Sequence, residues 1–178
     1  MRLGRSFAIA SFATVITAAA MAVIAPGPAA AENVSAARGV PPCGHVLFDV
    51  TSTPVARPVN HVLLTLTNTG TEPCAAYGAP VLRFPGSHTP ADVWADSRPG
   101  SVIVVRPGES AFSGLTASAA DGSGADGRRA DRGFLRLQGE HGELVGPLAR
   151  VELRPDVWVD SKATVTHWQA TAENALAW

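Results

Sequence analysis

Short runs in which every second residue is apolar, each ended by a Pro, Gly or Asn turn, limit what this chain can fold into more than any other feature. GHVLFDVTST sets Val46, Phe48 and Val50 on one side and His45, Leu47, Asp49 and Thr51 on the other. NHVLLTLTNT repeats the pattern, with Val62, Leu64 and Leu66 opposed to Leu63, Thr65 and Thr67. Successive side chains of a strand point to opposite faces, so period 2 marks a strand with one buried face. Further strands are expected near residues 81–84, 101–106, 110–119, 133–138, 148–154 and 163–170, separated by the turn signals NTG, FPGS, RPGES and RPD. Past the N-terminal apolar run, no stretch keeps a convincing 3.6-residue apolar period. Many short strands at this spacing predict an all-β fold, an antiparallel β-sandwich.

The N-terminus carries a different pattern. MRLGR is followed by an apolar run over residues 7–25, then Pro26, Pro28 and small residues at Ala29 and Ala31. A basic head, an apolar stretch and an A-x-A site are the parts of an export signal, with cleavage expected before Glu32. The competing reading is a membrane anchor, since the run approaches the roughly 20 residues that span a bilayer. The prolines and the Ala-Ala-Ala site favour cleavage, and no cysteine follows the run to take a lipid. The expected organisation is a signal at 1–31, a flexible lead-in at 32–41 and one domain at 42–178, secreted and free of the membrane. Loss of Arg2 and Arg5 leaves the mature chain at about −3, from a precursor with 14 basic and 15 acidic residues. That balance excludes a nucleic-acid binder, which needs a concentrated basic footprint.

Cys43 and Cys74 are an even pair in an exported chain, the setting in which disulfides persist. A bridge between them closes a loop of about 30 residues and is worth roughly 3 to 4 kcal/mol. A redox pair or zinc site fits poorly, because there is no C-x-x-C and no histidine at ligand spacing. Cys74 falls among turn-forming residues, with Asn68, Thr69 and Gly70 ending one strand and Gly78 and Pro80 resetting the backbone for the next.

Residues 121–133, DGSGADGRRADRG, lack any large apolar side chain and are expected to form a mobile hairpin loop. Their Asp and Gly spacing faintly suggests a calcium loop, but position twelve is Arg132 where an EF-hand has Glu. Gly108-Glu109-Ser110 misses the G-x-S-x-G elbow by one residue. His45, His61, His88, His141 and His167 show no ligand spacing, although His45 and His61 open neighbouring strands. The only methionines, Met1 and Met21, leave with the signal, so no weak axial Met remains for a blue-copper site. Asp92 with Asp96, or Glu140 with Glu143, supply paired carboxylates by composition alone. Among the aromatics, Trp168 reads as core. Trp94 and Trp178, with Tyr77, are the candidate ligand platform, and no cofactor, metal ligand or catalytic residue is expected.

An early Cys43, then Asn68-Thr69-Gly70, Cys74, Gly78-Ala79-Pro80 and the Pro107-Gly108-Glu109-Ser110-Ala111 turn follow one another in a set order. In these motifs the chain resembles the actinobacterial secreted family called domain of unknown function 4232. CAAYGAP departs from the family, which more often has Leu after the cysteine and an aromatic next to the proline. The resemblance implies an immunoglobulin-like sandwich with a Cys43–Cys74 bridge, and it implies no activity. The functional expectation is a non-enzymatic module that binds an extracellular or cell-envelope partner, protein or glycan. The alternative is a small envelope hydrolase or metal-handling protein, which requires several of the histidines, or a histidine with Ser110, to converge. A free sheet edge pairing with a partner's strand is a third, structural possibility.

Overall fold

The computed structural model describes residues 39–178, so the expected signal at 1–31 and most of the lead-in lie outside the described residues. A 3₁₀ turn at Cys43–His45 precedes β1 (Phe48–Pro54), β2 (His61–Asn68), β3 (Cys74–Arg83) and β4 (Asp92–Val93). A second 3₁₀ turn at Ala95–Ser97 leads to β5 (Ile103–Val105), β6 (Ser110–Thr116), β7 (Arg128–Gln138) and β8 (Leu144–Val159). After β9 (Thr164–Val165) comes one short helix, α1 (Ala172–Ala175).

The strands form two sheets, in the orders β1-β2-β6-β9-β4 and β5-β3-β7-β8. The chain crosses between the sheets at every connection except β1–β2 and β7–β8, as in an immunoglobulin-like sandwich. Strand pairs are antiparallel with one exception, the short parallel pair β4–β9. The alternation read from β2 is the packing that forms: Val62, Leu64 and Leu66 are buried, and their β6 partners Leu115, Ser113 and Ala111 face inward with them. Leu82, Leu135, Leu137, Val151 and Leu153 supply the opposite wall, with Trp168 the largest fully buried side chain. Each fully buried Leu or Val contributes about 1.5 to 3 kcal/mol by removal from water.

Cys43 and Cys74 form the expected disulfide, with Cα atoms 4.7 Å apart and a sequence separation of 31. Both belong to the core. The turn that carries Cys43 docks on the start of β8, where a Cβ at Gly44 or at Gly146 would overlap the other segment's backbone. The last residues of the lead-in are also held, since Ala75 donates its N–H to the Pro41 carbonyl at 2.8 Å and Pro42 bridges Ala75.

Asn68 joins the two family turns. Its N–H donates to Glu109 O (3.0 Å) and its carbonyl accepts from Gly108 N (2.8 Å), tying the end of β2 to the Pro-Gly turn before β6. Its side-chain Nδ2 donates to Glu72 O (2.8 Å) and Val105 O (2.9 Å), while Oδ1 accepts from Gly70 N (2.9 Å). A fully buried amide is tolerated here because its donors and its acceptor are matched.

Three stretches differ from the reading of the sequence. Cys74 and the residues up to Pro80 are themselves strand, the first part of β3, and not a turn region. Small and turn-prone residues extend here because β5 and β7 flank them, and Gly78, at φ 60°, absorbs the mismatch as a bulge between Tyr77 and Val81. The expected mobile loop at 121–133 is also shorter, since β7 begins at Arg128 and pairs with β8 as far as Val159. Its tip is fastened to the β8–β9 turn through reciprocal bonds, Ser161 N to Ala125 O (2.9 Å) and Ala125 N to Ser161 Oγ (3.0 Å). In 163–170 only Thr164–Val165 is strand, yet nearly the whole segment is buried, with Trp168 N donating to Gly78 O at 3.0 Å.

Candidate functional site

The three residues of the proposed aromatic platform sit on different elements. Trp94 follows β4 at one edge of the five-stranded sheet and is 42% exposed. Trp178 is 43% exposed and ends the chain beside β2, with its carbonyl oxygen 3.1 Å from His61 Nε2. Tyr77 lies on β3 in the other sheet, half-buried, where burial and then the negative charges of Glu140 and Glu143 push its hydroxyl pKa upward. Trp158, on β8 opposite Arg129, is more exposed than either platform tryptophan and packs its indole over Gly127. Strand residence suggests core for Trp158, but β8 is a sheet edge and its register turns that side outward.

The histidines stay scattered. His61 is occupied by Val59 O, which accepts from Nδ1 at 2.7 Å, and by the Thr116 hydroxyl at 3.0 Å from Nε2. His45, His88 and His141 are exposed. Among the described residues no group of three or more His, Cys, Asp or Glu side chains is arranged to share an ion. Ser110 meets no histidine in its hydrogen bonding; its hydroxyl lies 2.9 Å from the Thr67 hydroxyl across the β2–β6 register. Asp92 and Asp96 are exposed, and Glu143 folds back over its own hairpin to accept from His141 N at 3.0 Å.

The pair that does form was not visible in the sequence. Ser97 and His167, seventy residues apart, meet in a buried site where Ser97 Oγ lies 3.0 Å from His167 Nδ1 and 2.9 Å from His167 N. The serine hydroxyl carries one proton, and the Trp94 carbonyl oxygen at 2.6 Å takes it. Ser97 Oγ therefore accepts from both His167 nitrogens. Nδ1 carries the ring proton, and Nε2 is left with its lone pair. A nucleophilic serine gives its proton to a histidine base; here the direction is reversed and Ser97 is a structural acceptor.

Burial, and next the nearby Arg98 charge, hold the His167 pKa below the ordinary histidine value. The unfolded chain then binds the proton more readily than the fold does, so stability is intact above pH about 6.5 and falls as pH drops below it. The unfolding temperature is expected to decline through that window, and the decline is expected to flatten in His167→Gln. An identical pH slope in the two proteins, measured by thermal unfolding, would contradict this assignment.

Clefts lined by the described residues include three that bear on function. The first, about 440 Å³, lies between the β3–β4 loop and the β8–β9 turn, with His88, Asp92, Asp126 and Asp160 on its walls. Arg128 braces it by donating from Nε to Pro85 O at 3.0 Å and by a bond to Ser87 Oγ. The Asp160 carboxylate is taken by Ala119 N (3.1 Å) and Lys162 N (2.8 Å). The second, about 490 Å³, is lined by Tyr77, Gly78, Arg98, Gln138, Glu140 and His167. The third, about 310 Å³, is an apolar groove on the outer face of the four-stranded sheet, floored by Val81, Phe134, Leu144 and Leu148 and flanked by Arg83 and Arg136.

Comparison with protein families gives a match to a domain of unknown function, DUF4232, over residues 43–169, well over half of the chain. The chain belongs to the DUF4232 family. Neither the curated proteins nor the solved structures contain a match. The DUF4232 motif residues chiefly build the fold: Cys43 and Cys74 staple it, and Asn68 knits its turn to the Pro107–Gly108 turn. Gly78 alone among them lines a cleft, where a Cβ would overlap the Gln138 side chain that accepts Ala79 N at 3.1 Å. No helix among the described residues is long and apolar enough to cross a membrane.

Proposed function

We propose that this DUF4232 chain is exported, loses residues 1–31, and acts as a non-enzymatic module that docks an extracellular or cell-envelope protein on the outer face of its four-stranded sheet. The observation that carries the reading is the apolar groove, where Leu144, paired with Gln138, is 47% exposed and Leu148, at the β8 bulge before Ala149, is 60% exposed. Apolar side chains grouped on a rigid face, with arginine beside them, are the composition of interface hot spots. Arg83 and Arg136 have no carboxylate partner among the described residues, which favours a partner that brings acidic groups around an apolar anchor. The reversed Ser97–His167 pairing supports a binding role over hydrolysis.

The test is retention of secreted and cell-envelope proteins on immobilised protein, compared with the double variant Leu144→Asp/Leu148→Asp. Both side chains are exposed, so the variant is expected to keep its unfolding temperature. Loss of the retained protein from the double variant is the expected result. Equal retention by both would remove the groove from the account.

A further inference from the structure

The second cleft holds a feature that the docking face does not explain. His167 is 7% exposed and lines that cleft, its Nδ1 and backbone N–H both engaged by Ser97 Oγ. Nε2 has no hydrogen-bond partner among the described residues, yet it is not one of the fully enclosed unpartnered atoms, which are Arg136 Nε and Trp168 Nε1. It is therefore a lone pair on a nearly buried ring that lines the cleft. A nearly buried acceptor that opens on a cleft takes its donor from whatever fills that cleft, water or a ligand group.

The rest of the wall specifies charge at two points. Arg98, an exposed residue, lines it with no carboxylate partner among the described residues. Gln138 has its Oε1 committed to Ala79 N, which leaves its NH₂ as a second donor. Glu140 and the Tyr77 hydroxyl line the same cleft and supply an anion and a polar group. The Gly78 bulge forms part of the floor, and a volume of about 490 Å³ is within the range of pockets that hold small ligands.

We propose that this cleft binds a small zwitterion, an amino acid or short peptide, with its carboxylate on Arg98 and Gln138 and its ammonium donating to His167 Nε2 beside Glu140. The cation and the amide suit a carboxylate, while the neutral imidazole acceptor and the glutamate suit an ammonium group. Ser97 is a positioning residue, since it sets the tautomer that leaves the lone pair facing the ligand. The inference stands apart from the docking proposal, which uses other residues.

The experiment is an NMR titration of the ¹⁵N-labelled protein, following the His167 ring nitrogens, with four probes: alanine, alanyl-alanine, N-acetyl-alanyl-alanine and alanyl-alanine amide. The expected result is a saturable shift of Nε2 with alanine, alanyl-alanine or both, and the stronger of the two identifies free amino acid or peptide as the source. Blocking either terminus is expected to weaken binding at least tenfold, as is Arg98→Ala, an exposed substitution whose remaining spectrum reports that the fold is kept. No saturable shift with either zwitterion would overturn the proposal. So would equal binding of both blocked peptides, or unchanged binding by Arg98→Ala.

Discussion

Asn68→Asp is expected to lower the unfolding free energy by about 2 to 4 kcal/mol at neutral pH, although it exchanges one NH₂ for one oxygen. The amide donates to the Glu72 and Val105 carbonyl oxygens from a fully buried position. Aspartate places an acceptor against those two acceptors and cannot gain water in compensation, so the desolvation cost is not offset. The same change should be milder near pH 3, where the carboxyl is protonated in both states. Burial beside carbonyl oxygens raises its folded pKa above the unfolded value of about 3.9, so stability is lost as pH rises past that value. Chemical denaturation at pH 3 and pH 7 checks both statements. A loss under about 1 kcal/mol at pH 7 would mean that the Asn68 amide does not hold the Glu72 and Val105 carbonyls as described.

Removing the disulfide by Cys43→Ala/Cys74→Ala is expected to cost roughly 3 to 4 kcal/mol, from the unfolded-chain entropy that a 31-residue span restrains. For a domain of this size that corresponds to a fall of about 10 to 15 °C in unfolding temperature. Because the effect lies mainly in the unfolded state, amide chemical shifts far from the 3₁₀ turn and β3 should stay as they are. A variant that unfolds within about 1 kcal/mol of the parent would show that the Gly44–Gly146 packing alone holds the N-terminal turn on β8.

The parts of the fold that were legible in the sequence are those governed by local pattern. In β1 and β2 the alternation of Phe48 and Val50 and of Val62 to Leu66 sets the buried face directly, because the pleat is a property of each strand by itself, although β1 begins at Phe48 and His45 belongs to the preceding 3₁₀ turn. The disulfide was legible from the count of two cysteines. The start of β3 was not, since CAAYGAP has turn-forming composition and becomes strand only through pairing with β5 and β7. The beginning of β7 is arginine-rich and extends because β8 pairs with it. Tertiary context overrides propensity in both places.

The candidate sites divide in the same way. Trp94 and Trp178, named as candidate platform residues, are exposed, and the sheet that each platform residue joins is something no local pattern encodes. The Ser97–His167 pair and the groove around Leu144 and Leu148 gave no signal of their own. The first joins residues seventy apart, and the second arises where β3, β7 and the start of β8 bring apolar side chains together on the outer face. The exposed apolar residues of β8 are noticeable only once the neighbouring register is known.

The central claim, that the outer face of the four-stranded sheet is the docking surface, is tested most directly by one affinity series. The retained protein is titrated against the parent and against Leu148→Asp, Arg83→Glu and Trp94→Ala, three substitutions at exposed side chains. The account predicts at least about a thirtyfold loss for Leu148→Asp, the size of a hot-spot change. It predicts a clear loss for Arg83→Glu by charge reversal and parent-like affinity for Trp94→Ala. Undiminished binding by Leu148→Asp and Arg83→Glu, with loss on Trp94→Ala, would contradict it and move the interface to the tryptophan edge of the other sheet.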